Sequence, residues 1–146
     1  MHIRQHVYFG LLSSQVPATE ITARLGLEAD EVKVRGSKRA TPAVPVSHAW
    51  KIVCAEPGLA VDEQIGRVMR RLAPHSAEII ALAQELRAGD PQYGGAVLRV
   101  VRYFDNEDED ADEDELNSPL LGWALDRETL SFLLAVDAVL DIEEYA

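Results

Sequence analysis

The chain has 146 residues, with 25 Asp and Glu against 14 Lys and Arg for a formal charge of −11, and 47% of it is apolar. A chain of this length buries roughly 68 to 70% of its unfolded surface, enough for one sizeable core and too little for two. The apolar share excludes a chain disordered throughout, the single Cys54 excludes an internal disulfide, and apolar runs such as Ile79 to Ala83 fall far short of the roughly 20 residues that span a bilayer.

Val7 to Leu12 (VYFGLL) is aromatic and branched on both faces, which predicts a strand in mid-sheet, ended by Ser13, Ser14 and Pro17. Thr19 then reads as a helix cap, Glu20 sits in the first turn, and Ile21 and Leu25 lie one turn apart before a stop at Gly26. The polar and basic stretch with Lys33, Arg35, Lys38 and Arg39, followed by Pro42 and Pro45, reads as a loop. His48 to Cys54 resumes a strand, placing Trp50, Ile52 and Cys54 on one face.

From Asp62 the period becomes helical. Ile65, Val68, Met69 and Leu72 recur at one-turn spacing, with acids at the start and Arg67, Arg70 and Arg71 near the end, matching the helix dipole. Pro74 restarts the chain, and Ile79, Leu82, Ala83 and Leu86 form a second stripe ended by Gly89, Asp90 and Pro91. Residues 96 to 104 (AVLRVVRYF) predict a long strand with Arg99 and Arg102 on opposite faces. Leu121 to Leu125, holding Trp123, is expected to be its partner strand. Asp126 caps a helix whose Leu130, Phe132, Leu133, Leu134 and Val136 are apolar nearly all round, which predicts deep burial, and residues 139 to 145 (VLDIEEY) close the chain as a last strand. The expected fold is α+β: a single domain over residues 1–146 with one mixed, largely antiparallel sheet of about five strands and three to four helices mainly on one face.

The acidity is concentrated. Asp105, Glu107, Asp108, Glu109, Asp110, Asp112, Glu113, Asp114 and Glu115 place nine carboxylates in eleven residues without a base, leaving 16 acidic against 14 basic residues elsewhere, a remainder of −2. Such a run repels itself and buries nothing, so residues 105–117 are expected to form a disordered acidic loop.

The opening strand VYFGLL, the segment EITARLGLEADEV followed by VRGS, the WKI strand around Trp50, the central helix pair and the closing LSFLLAVDAVLDIEEY together resemble a bacterial family known as domain of unknown function 4279. The resemblance implies a small α+β domain and carries over no catalytic residue. Two departures stand out, Ala29 where a proline is expected and a longer acidic insertion.

Each chemical motif is met by a plainer alternative. ITARLGLEADEV has helix-turn-helix spacing, with a second helix from about Ala29, and the basic cluster lies nearby. Its leading residues would be Glu28, Asp30 and Glu31, which phosphate repels, so nucleic acid is disfavoured against a short helix and turn at a sheet edge. A calcium loop starting at Asp108 gains Asp110 and Asp112 as ligands but meets Glu113 at position 6, where Gly is needed, and Pro119 at position 12, where Glu is needed. Starting at Asp110 fails at the same two places. Cys54 and His48 lie about 20 Å apart along one predicted strand, too far to form a catalytic pair. His2 and His6 have no second ligand pair, and phosphate-cradling glycine patterns are absent from the sequence. No catalytic residue, metal or cofactor is therefore assigned.

Two classes of function are left ahead of a helix-turn-helix DNA binder. The favoured expectation is a non-enzymatic interaction module whose acidic loop, Asp105 to Glu115, engages a basic protein partner, one form being an immunity-type inhibitor of a toxin. The competing expectation is an anionic-ligand binder or enzyme with a site assembled from the sheet, for which Trp50, Arg99, Arg102 and Trp123 are the candidates. No membrane contact is expected. The cytoplasm is the expected location, and the oligomeric state is left open.

Overall fold

The computed structural model describes residues 2–105 and 121–146. In chain order its elements are β1 (His2–Ser13), α1 (Ala18–Leu25), β2 (Glu31–Lys33), β3 (His48–Cys54), α2 (Val61–Leu72), a 3-10 turn (Ala73–His75), α3 (Ser76–Gly89), β4 (Gly95–Asp105), α4 (Arg127–Ala135) and β5 (Val139–Tyr145). The strands form one sheet in the order β2-β3-β1-β4-β5. Pairing is antiparallel except between β4 and β5, which run parallel, so the sheet is mixed.

β1 sits in the centre because both of its faces can be buried. Val7, Phe9 and Leu11 point to the side carrying the helices and are fully buried, in register with Val100, Leu98 and Ala96 of β4 and with Cys54, Ile52 and Trp50 of β3. Against this layer pack Ile21 and Leu25 of α1, Ile65, Val68 and Leu72 of α2, Ile79, Leu82 and Leu86 of α3, and Leu133 at the end of the α4 stripe, giving one continuous core. Phe132 of α4 meets Phe9 with ring centroids 5.5 Å apart. All these helices therefore lie on one side of the sheet.

Local chemistry sets the boundaries. Gly26 ends α1 in the left-handed region at φ 67°, its N–H donating to the Thr22 carbonyl. Asp126 starts α4 by accepting from the Thr129 N–H at 2.8 Å. Asp90 links α3 to the end of β1: its Oδ2 accepts from the Ser14 N–H at 2.9 Å and the Ser14 hydroxyl at 2.6 Å, while Oδ1 accepts from the Tyr93 N–H at 3.2 Å. The Ser14 bonds hold its carboxyl below the usual aspartate range. In the same turn a side chain at Gly94 would come within 2.3 Å of the Leu86 carbonyl oxygen, so only glycine fits.

Four expectations are corrected. Thr19 lies inside α1, whose capping position is Pro17. Residues 31–33, assigned above to a loop, form edge strand β2. Asp30 sets up this pairing, its N–H donating to the Lys51 carbonyl at 2.8 Å and its carboxylate accepting from the Val53 N–H at 2.7 Å. The same pairing replaces the second helix that helix-turn-helix spacing would need. Leu121 to Leu125 is not a strand, because β5 occupies the position beside β4; Trp123 and Leu125 instead pack partly buried against the core. Finally, α4 is not buried all round: Leu133 is 8% exposed, but Leu130 is 45% and Leu134 82% exposed. The helix sits beside the edge strand, and its outer side has no cover among the described residues. Of the expected acidic loop at 105–117, only Asp105, the last residue of β4, falls within the described residues.

Candidate functional site

The sheet separates two polar assemblies, one on each face. Odd spacing in β4 sends Arg99 to the helix-free face and Arg102 to the helix side. On the helix-free face the Arg99 guanidinium donates to the Tyr8 hydroxyl at 3.2 Å, lies 3.4 Å from the Asp141 carboxylate and pairs with Glu143. The Lys51 ammonium sits 4.2 Å from the centre of the Tyr8 ring. Gly10 separates Lys51 from Val97 in the sheet, and a Cβ there would lie 3.4 Å from the Tyr8 ring, so the missing side chain leaves room for the phenol to lie down.

Electrostatics follow from this crowding. Burial pushes the Lys51 pKa down, a shift that Glu31 opposes and Arg99 reinforces. Burial likewise lowers the pKa of His6, two residues before Tyr8 on the same face. Arg99 is raised, first by its bond to Tyr8 and then by nearby negative charge. At the sheet margin Asp30 has opposing influences: burial alone would raise its pKa, but Arg71 at 2.5 Å and the Val53 N–H prevail and lower it. Farther along the helix-free face Tyr103 and Tyr145 stack at 5.1 Å, Arg4 lies 5.2 Å from the Tyr103 ring, and the Tyr145 hydroxyl donates to Glu143 at 2.6 Å.

On the helix side Arg102 is 3% exposed. Its Nε donates to the Gln5 side-chain carbonyl at 3.1 Å, and its Nη1 to the Leu121 carbonyl at 3.3 Å and to Glu144 at 3.4 Å. Gln5 in turn donates to the Leu59 carbonyl at 2.7 Å, and the buried Gln64 amide donates to the carbonyls of Gln5 and Glu56 at 3.1 Å. These bonds tie β1, β4 and the start of α2 together.

The four ligand candidates thus occupy separate places. Trp50 is fully buried and donates from its indole to the Thr22 hydroxyl at 3.2 Å. Trp123 packs partly buried against the core. Arg99 is engaged by two carboxylates on one face and Arg102 by Gln5, Leu121 and Glu144 on the other. Asp105 ends β4, and Glu107, Asp108, Glu109, Asp110, Asp112, Glu113, Asp114 and Glu115 lie outside the described residues, as do the calcium-loop registers starting at Asp108 and Asp110. His48 and Cys54 sit at opposite ends of β3, the His48 Nδ1 accepting from the Arg35 N–H at 3.1 Å. Among the described residues no three His, Cys, Asp or Glu side chains gather into a metal-binding group. No helix there is long and apolar enough to cross a membrane.

Sequence reasoning missed Tyr8, Lys51, Asp141 and Glu143. The available signal was charge placed at alternate positions within predicted strands: Lys51 between Trp50 and Ile52, and Asp141 and Glu143 flanking Ile142.

The sequence model described as Domain of unknown function (DUF4279) matches residues 2–146, from the first residues of β1 past the end of β5. The chain belongs to this family. No curated protein and no solved structure matches it significantly. Membership in DUF4279 spans both polar assemblies and the acidic stretch, and its description names no activity for any of them.

Proposed function

We propose that this DUF4279 chain is a non-enzymatic cytoplasmic interaction module that engages a basic protein partner through its acidic stretch. The observation that carries this reading is the distribution of charge: nine carboxylates between Asp105 and Glu115 on a remainder of −2. The site geometry supports it from the other side. Trp50, Arg99, Arg102 and Trp123 do not converge, and both guanidinium groups are occupied by partners within the chain. A polyanionic segment speeds encounters with a cationic surface and makes them sensitive to salt. One concrete form is inhibition of a toxin enzyme by placing carboxylates over its cationic active site.

Removing residues 106–115 tests the reading. The shortened chain is expected to keep its thermal midpoint and to lose most of its salt-sensitive capture of basic proteins in pull-downs. Identical partners captured before and after the deletion would refute it.

A further inference from the structure

The two edges of the sheet are guarded very differently. β2 is three residues long and carries Lys33, a short charged edge of the kind that discourages further pairing. β5 is seven residues long and contains no proline, lysine or arginine. Its inner side pairs with β4, and its outer backbone groups have no partner among the described residues. Exposed large apolar side chains gather around it: Val139, Leu140, Ile142 and Tyr145 on the strand, and Leu130 and Leu134 on α4.

We propose that β5 is the docking edge for an extended strand of the basic partner, one whose residues alternate between cationic and apolar. This rests on the basic-partner reading above and states how that partner is held. The alternation comes from β5 itself. On its helix-free face it presents Asp141, Glu143 and Tyr145, and on its helix side Leu140 and Ile142, where α4 leaves Leu134 exposed. A strand added alongside places its own alternate residues opposite these two sets, with main-chain bonds supplying affinity and side chains supplying selectivity.

Charge decides the helix-free face. Asp141 and Glu143 share the single guanidinium of Arg99, so one negative charge is left unmatched. The outer aromatic, Tyr145, is 48% exposed and stacks on Tyr103, whose ring already lies within 5.2 Å of the Arg4 guanidinium. A partner Lys or Arg reaching this margin meets both a carboxylate and a phenol face. The same charges argue against a second copy as occupant. Antiparallel self-pairing would set Asp141, Glu143 and Glu144 of two chains, each of charge −11, against one another, and like charges on facing strands are destabilising.

The test titrates the full chain with a short amidated peptide alternating Lys with Val, alongside a form N-methylated at alternate backbone nitrogens and a form with Ser for Val. Amide hydrogen exchange reports where each binds. The Lys–Val peptide is expected to slow exchange across residues 139–145, and the other two forms to bind at least about tenfold more weakly, a loss of about 1.4 kcal/mol. Ile142→Lys, at an exposed position, is expected to give the same loss with an unchanged thermal midpoint, and the N-methylated peptide provides the same control without altering the protein. Slowed exchange at β5 should persist in the chain lacking residues 106–115. Binding abolished by that deletion yet indifferent to Ile142→Lys and to N-methylation would overturn edge docking while leaving the basic-partner reading intact. Absence of binding, or protection at β2 instead, would also overturn it. So would a homodimer in sedimentation that Ile142→Lys converts to monomer.

Discussion

Neighbouring residues on β3 show how differently the two faces of the sheet are built. Trp50 faces the helices and is fully buried, with one hydrogen bond to Thr22. Lys51 faces the other way and is 6% exposed, its burial provided by the flat ring of Tyr8 and the surrounding strands rather than by a helix layer. On the first face stability comes from packed apolar volume, and on the second from a chain of charged and aromatic contacts between strands. Substitutions on the two faces should therefore differ in size, in pH dependence and even in sign.

The largest effect is expected on the helix side. Trp50→Ala removes a fully enclosed aromatic and should cost about 3 to 5 kcal/mol, read as a large fall in the urea midpoint. A loss under about 1 kcal/mol would mean that the core tolerates a cavity there, and the contrast between faces would weaken. The two arginines of β4 give the intermediate case. Arg102→Met strands buried Gln5 and the Leu121 carbonyl and should cost about 1 to 3 kcal/mol. Arg99→Met, whose carboxylate partners are partly solvated, should cost about 1 kcal/mol or less, and its cost should shrink as acid protonates Asp141 and Glu143. Equal losses at pH 7 would erase the distinction.

The smallest effect carries the opposite sign. Burial depresses the Lys51 pKa, so between that lowered value and the ordinary lysine value of about 10.4 the folded chain binds fewer protons than the unfolded one. Wild-type stability therefore rises with pH through this window. Lys51→Met should be more stable than wild type at pH 7, by up to about 1 kcal/mol, and the gap should narrow as pH climbs through the window. Thermal melts at pH 7 and pH 10 check both sign and trend. A destabilised Lys51→Met would show that the contact with Tyr8 outweighs desolvation.

Much of the fold was legible because apolar periodicity records burial directly. The alternation in β3, the stripes of α2 and α3 and the two-faced apolar run of β1 all lie on the helix side where the pattern placed them. β2 escaped notice because all three of its residues are exposed, and only the Asp30 bonds to Lys51 and Val53 set its pairing. Residues 121–125 misled because their alternation matches packing against the core as well as it matches a ladder. The opposite orientation of Arg99 and Arg102 followed from their spacing alone. Their partners did not, since Tyr8 and Arg99 are 91 positions apart and meet only through strand register.

The bond from Arg102 to the Leu121 carbonyl has a consequence for the acidic stretch between them. Residue 105 ends β4, and residue 121 is tied back to the same strand, so both ends of the stretch 106–120 are held at one place in the fold. With the ends pinned, the entropy of loop closure grows only logarithmically with length, by about 0.6 kcal/mol for each doubling. Inserted residues therefore put little load on the sheet. The length and charge of this stretch are free to change, in nature or by grafting a foreign sequence, while the scaffold that displays it stays the same.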